Sequence, residues 1–180
     1  LACDWLIATP AASLAFPETG IGIYPGLGGT QRTSRRIGTG LARWLVLSGQ
    51  TVGAEEAAAI GLVDRVVPHD QLDAAVADAI AKGIPAERQR PTLAAKHAAL
   101  EAFFSANDAD ALREGKASTG GDEALAKVMK RIAGKAPIAL RLSQKLIDEG
   151  AKVSLADGLA MELAHLREIF TTKDAYEGLS

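Results

Sequence analysis

The sequence predicts an α/β chain, with a strand-and-loop region over residues 1–68 followed by a helical region over residues 69–180. Three observations carry this. Short apolar runs bounded by turn residues lie near the N-terminus; five glycines and a proline crowd residues 20–29; and beyond Pro68 the apolar residues recur at helical spacing.

Residues 3–8 are apolar and bounded by Thr9-Pro10, which reads as a buried strand, and residues 13–16 form a second candidate. Gly20, Gly22, Gly26, Gly28 and Gly29 with Pro25 preclude a regular helix over 20–29, so this is a shaped loop. A helix over 30–37 closes at Gly38, and another over 41–47 stops at Ser48-Gly49. A third, over 51–60, has Glu55 and Glu56 near its start, where negative charge suits the helix dipole. Residues 62–67, rich in valine and ended by Pro68, read as a strand. Helices are then expected over 71–82, 93–104, 109–116, 123–132, 138–150 and 154–170, with a small, polar loop or hinge over 115–121. In the last helix Leu155, Leu159, Leu163 and Leu166 form an apolar stripe that faces a core or a partner.

With 180 residues, 48% apolar and 23% charged, the chain suits one globular unit. Lys plus Arg number 20 against 22 for Asp plus Glu, which provides no broad basic field for nucleic acid or an anionic membrane. No run reaches the roughly 18–20 apolar residues of a spanning helix, so no membrane partner is expected. The single cysteine, Cys3, cannot form an intrachain disulfide, and with no visible targeting segment a cytoplasmic location is expected. The chain starts directly on apolar sequence at Leu1, which reads as a cut end.

Phe16-Pro17-Glu18-Thr19-Gly20 places a carboxylate between a buried strand and a glycine loop. Partial burial there would suit Glu18 to acid–base work; a solvated loop glutamate is the alternative. Gly26-Leu27-Gly28-Gly29-Thr30 leads into a helix, so its free N–H groups could face an anion, or the segment could be a tight turn. Its spacing matches neither nucleotide-binding glycine motif. Glu162-Leu163-Ala164-His165 has the Glu-x-x-His spacing of di-iron bundles, but the second copy is absent, so a surface or interface pair and no metal are expected. His69 reads as a helix-start residue, and nothing supports His97 as a base. Arg32, Arg35 and Arg36 could meet phosphates or form surface salt bridges, and the latter is preferred.

Leu1-Ala2-Cys3-Asp4, Phe16-Pro17-Glu18, the run from Gly22 through Tyr24-Pro25-Gly26 and Gly28-Gly29-Thr30-Gln31-Arg32, and Leu47-Ser48-Gly49 resemble successive signatures of the crotonase superfamily. Ala54-Glu55-Glu56-Ala57, Gly61-Leu62-Val63-Asp64 and Val66-Val67-Pro68 continue the resemblance in the same order, through about residue 82. Residues 123–150, with Ala136-Pro137 and Lys145, resemble the family's penultimate helices, and Phe170-Thr171-Thr172-Lys173-Asp174 with Glu177-Gly178 its final helix. Residues 83–122 look like an extra segment relative to a compact hydratase.

The resemblance implies the C-terminal part of a ββα spiral over residues 1–68, then helices of which 123–180 are of the trimer-forming kind. It implies an acyl-CoA thioester substrate, no cofactor, and enolate stabilisation by two backbone N–H groups. In the hydratases one glutamate activates water and a second supplies the proton to C2. Glu18 matches the second, and Gly26 matches the position whose N–H holds that carboxylate. The other glutamate belongs to a Gly-Gly-Gly-x-Glu motif that would precede Leu1, as would both enolate donors, so the 180-residue chain alone is expected to be inactive. Lys173 matches a position that approaches CoA from a neighbouring subunit. Enoyl-CoA hydratase is the favoured reading, Δ3,Δ2-enoyl-CoA isomerase the alternative, and a non-catalytic oligomerisation fragment the alternative of another class. A homotrimer or dimer of trimers is implied, and the longer helical region resembles hydratases fused to or associated with a 3-hydroxyacyl-CoA dehydrogenase.

Overall fold

Gly40 through Ser48 is buried on every face but one, so the helix that holds it must sit at the centre of the molecule. In the computed structural model, which describes residues 1–85 and 88–180, that helix is α2 (Thr39–Ser48). Around it pack α1 (Gly29–Ile37), α5 (Ala95–Ala106), α7 (Glu123–Ala133) and α8 (Pro137–Gly150). Leu41, Leu45 and Leu47 of α2 share a core with Ile60, Leu62, Phe104, Leu112, Ile132 and Leu140.

The strands are shorter than the apolar runs that predict them. β1 (Ile7–Ala8) pairs in parallel with β4 (Arg65–Val66), Ile7 opposite Arg65, and β2 (Ser13–Leu14) pairs antiparallel with β3 (Val52–Gly53). The expected helix over 51–60 divides accordingly: Val52 and Gly53 join the second sheet, and α3 (Ala54–Ala59) follows. Asp64 ties β1 to the helices. Its carboxylate accepts from Leu6 N–H at 2.7 Å and pairs with Arg36 at 2.6 Å and Arg88 at 2.5 Å. Burial opposes ionisation, but these donors prevail and hold the Asp64 carboxyl below its usual range.

After α4 (Leu72–Lys82), α5 and α6 (Ala109–Arg113) occupy residues 83–122, the predicted extra segment, of which 86 and 87 lie outside the described residues. The segment is built into the core. Phe104 and Leu112 are fully buried, and Glu101 accepts the N–H groups of Gly40 and Leu41 at the start of α2.

The expected helix over 154–170 breaks at His165 into α9 (Leu155–Ala164) and α10 (Leu166–Phe170), and α11 (Lys173–Leu179) follows. The leucine stripe is not the buried face of α9. Leu163 is 65% exposed, whereas Gly158 and Glu162 are buried. The reason is close approach: a Cβ at Gly158 would stand 2.2 Å from Gln31 Oε1, so only glycine lets α9 settle on α1 and carry Glu162 to its N-terminus. Among the described residues no helix is long and apolar enough to cross a membrane.

Candidate active site

Pro17 turns the chain out of β2 into a short 3-10 turn, Glu18–Ile21, closed by Gly22 in the left-handed conformation (φ 78°). The turn presents the half-buried Glu18 side chain to a cavity of about 590 Å3, whose wall includes Phe16, Tyr24, Gly26, Gly28, Arg32 and Phe170. Burial raises the Glu18 carboxyl above its usual range, against a hydrogen bond from its own backbone N–H and the charge of Lys135. Its Oε2 is buried with no hydrogen-bond partner among the described residues. A partly desolvated carboxyl on a cavity wall holds a proton more readily than a solvated one, which suits it to acid–base work.

The opposite wall is the glycine loop, and Glu162 holds it. Gly28, the residue before α1, has φ 84° and no side chain to cap the helix. Glu162 reaches across from α9, its carboxylate accepting from Gly28 N–H at 2.6 Å and from the Thr30 hydroxyl at 2.5 Å. Negative charge at a helix N-terminus satisfies free N–H donors and suits the dipole. The Tyr24 hydroxyl donates to the Glu162 main-chain oxygen at 2.5 Å, and burial, with the charges of Glu162 and Glu168, pushes its pKa up to about 12. Tyr24 is therefore a neutral wall rather than a base.

The enoyl-CoA hydratase/isomerase family model matches residues 1–180. The chain belongs to this family. It is 36% identical over 180 residues to YngF of Bacillus subtilis, covering 99% of this chain and 50% of YngF. It is 32% identical to a short-chain-enoyl-CoA hydratase of Clostridioides difficile, covering 99% of this chain and 84% of that protein. A carnitinyl-CoA dehydratase structure from Mycobacterium thermoresistibile superposes with a TM-score of 0.75 at 26% identity, over 98% of this chain and 54% of the other. The fold is thus crotonase-like, and the chain spans about half the length of most of the curated relatives it matches, 50% of YngF among them.

Of the residues the sequence singles out in this crotonase chain, Glu18 and Gly26 meet at one cavity. A Cβ at Gly26 would stand 2.9 Å from Tyr24 Cε2, so the glycine lets the loop pack closely against the Tyr24 ring. No hydrogen bond joins the Gly26 N–H to Glu18 among the described residues. Lys173 is exposed at the start of α11 and does not line the cavity. The three arginines separate. Arg36 pairs with the buried Asp64, and Arg35 donates to the carbonyls of Gly150, Val153 and Ser154 at the end of α8. Only Arg32 borders the cavity, donating to Leu27 O at 3.3 Å. His97 is buried against Glu56, Nε2 to Oε1 3.1 Å, while His69 is exposed.

Two residues escape the sequence reading. Glu162 is not a surface or interface residue but is buried to 1% exposure, because its partners are loop N–H and hydroxyl groups 132 and 134 positions away. A glutamate on the stripe's own face, between Leu159 and Leu166 at helical spacing, was the available signal. Lys135 carried no local signal; its ammonium donates to the Thr19 hydroxyl at 2.8 Å, beside Glu18. Among the described residues no cluster of three or more His, Cys, Asp or Glu could hold a metal.

Proposed function

We propose that the protein bearing these 180 residues is an enoyl-CoA hydratase acting in fatty-acid β-oxidation, adding water across the 2,3 double bond of a trans-2-enoyl-CoA, with Glu18 supplying the proton to C2. The observation that carries this reading is Glu18 on the wall of the cavity, its carboxyl raised in pKa by burial and its buried Oε2 without a hydrogen-bond partner among the described residues. A carboxyl whose proton affinity is raised by burial is better suited than a solvated one to donating a proton to the α-carbon of a thioester enolate. The relative from Clostridioides difficile is named as a short-chain-enoyl-CoA hydratase, which supports a thioester substrate of this class.

Glu18 is the only carboxylate among the described residues lining the cavity. For hydration, a water-activating carboxylate and enolate-binding N–H groups must act with it. The same observation favours a second reading, an enoyl-CoA isomerase in which one carboxyl carries a proton between C2 and C4. Full-length gene product assayed with crotonyl-CoA and with a 3-enoyl-CoA separates the two. Hydration that fails in Glu18→Gln supports the hydratase; isomerisation without hydration supports the isomerase; wild-type rates in Glu18→Gln overturn both. A homotrimer is proposed as the assembly, with Tyr176 and Leu179, exposed on α11, as contact residues.

A further inference from the structure

Behind Glu18, on the side away from the cavity, the structure holds a second cation-bearing arrangement that no catalytic step uses. Lys135 lies in the short connection between α7 and α8. Its ammonium donates to Thr19 Oγ1 at 2.8 Å, and the fully buried Thr19 hydroxyl in turn donates to Val46 O at 3.0 Å in α2. The ammonium also stands over the glycine that ends α2: a Cβ at Gly49 would lie 2.9 Å from Nζ, and one at Gly20 would lie 3.7 Å away. Gly49 therefore leaves room for this side chain, a Cβ at Gly20 would merely touch it, and the carbonyl end of α2 favours a cation there.

We propose that Lys135 is a positioning residue for Glu18: through Thr19 it pins the Glu18–Ile21 turn to the end of α2 and so holds the carboxyl in place beside its own ammonium. This rests on the proposed acid role of Glu18. The coupling has a defined direction. Lys135 favours ionised Glu18, and Glu18 favours protonated Lys135, while burial disfavours the charged form of each. Other charged groups face the pair from the surrounding elements. Arg131 of α7 disfavours the Lys135 charge, Arg113 of α6 donates to Lys135 O at 3.1 Å, and Asp174 and Glu177 of α11 line the cleft that Lys135 and Gly20 share. On the cavity side Arg32 is the cation. On α2, Arg43 is engaged with Asp148.

The test is a carbon-13 NMR titration of the Glu18 carboxyl in the 180-residue chain, with the signal assigned by its loss in Glu18→Gln. Lys135→Met is expected to move the Glu18 midpoint to higher pH, and Lys135→Arg to return it toward wild type. An unchanged midpoint in Lys135→Met overturns the proposal, as does a midpoint in Lys135→Arg that stays with the methionine variant. Should Lys135→Met not fold, the reciprocal experiment decides, because coupling between two sites is mutual. The Lys135 amine in Glu18→Gln is expected to titrate at lower pH than in wild type, and an equal midpoint overturns the proposal. In full-length product, the alkaline limb of the hydration pH profile is expected to shift upward in Lys135→Met, with a rate loss smaller than the on the order of 10²–10⁴-fold of losing the acid itself. The titrations need no turnover: intact coupling in a protein that does not hydrate crotonyl-CoA defeats the hydratase reading alone, and absent coupling in an active hydratase defeats this proposal alone.

Discussion

Replacing Glu162 with glutamine keeps the side-chain shape and exchanges one acceptor oxygen for an NH2 group. In the native arrangement both oxygens are used, by Gly28 N–H at 2.6 Å and by the Thr30 hydroxyl at 2.5 Å, and the side chain is buried. Hydrogen bonds to a charged acceptor contribute about 1.5–3 kcal/mol each, and a neutral one about 1 kcal/mol. Glutamine can accept from only one partner and turns a donor on the other, so the expected cost is roughly 2–4 kcal/mol, one charged bond lost and one weakened. Urea unfolding of the 180-residue chain at neutral pH measures it directly. Thr30→Val removes the hydroxyl donor, so the cost of Glu162→Gln in that background should fall, with a coupling within the roughly 0.5–3 kcal/mol seen for contacting residues. A single mutant within about 0.5 kcal/mol of wild type, the range of an ordinary surface change, would refute the claim that Glu162 caps α1 and holds the cavity wall.

Asp64→Asn should destabilise by roughly 3–5 kcal/mol, because Arg36 loses its buried carboxylate partner. The folded Asp64 pKa lies below its usual value, so its contribution is present above pH ~4 and is lost as pH falls through the folded pKa; acid unfolding of the asparagine variant should accordingly be shallower. For Glu18 the sign reverses: its folded pKa is raised, so its contribution is fully present below the unfolded pKa and is lost as pH rises through the folded one. Glu18→Gln should therefore be at least as stable as wild type at pH ~7, with the difference shrinking below pH ~4 in thermal melts. Phe104→Ala, fully buried against α2, should cost about 3–5 kcal/mol by urea unfolding, as a core residue does and an appended segment does not.

Helix positions were legible because caps and breakers are local. Gly38 and Gly49, read as breakers, end two helices and Ser154 starts a third, whereas the break at His165 and the Thr172 cap of α11 left no mark in the periodicity. Strand lengths were not, since apolar runs mark burial while pairing depends on the partner, and Arg65-Val66 meets only Ile7-Ala8. The stripe expected to face a core or a partner divides: Leu166 packs against the core beside Tyr24, while Leu163 is exposed. Its leucines mark an apolar face, but the face against α1 is chosen by a small residue, Gly158, and a buried acid, Glu162. At the candidate site, Glu18 and the glycine loop announced themselves by composition. The groups that fix them did not, because Lys135 meets Thr19 across 116 positions and Glu162 meets Gly28 across 134. Such contacts have no local pattern.

The most direct measurement is the rate of crotonyl-CoA hydration by the full-length gene product and its Glu18→Gln variant, with equal folding verified by thermal melts. A loss of on the order of 10²–10⁴-fold in kcat, the usual share of a general acid, is the expected result. Equal rates in the two proteins would contradict the assignment of Glu18 as the proton donor.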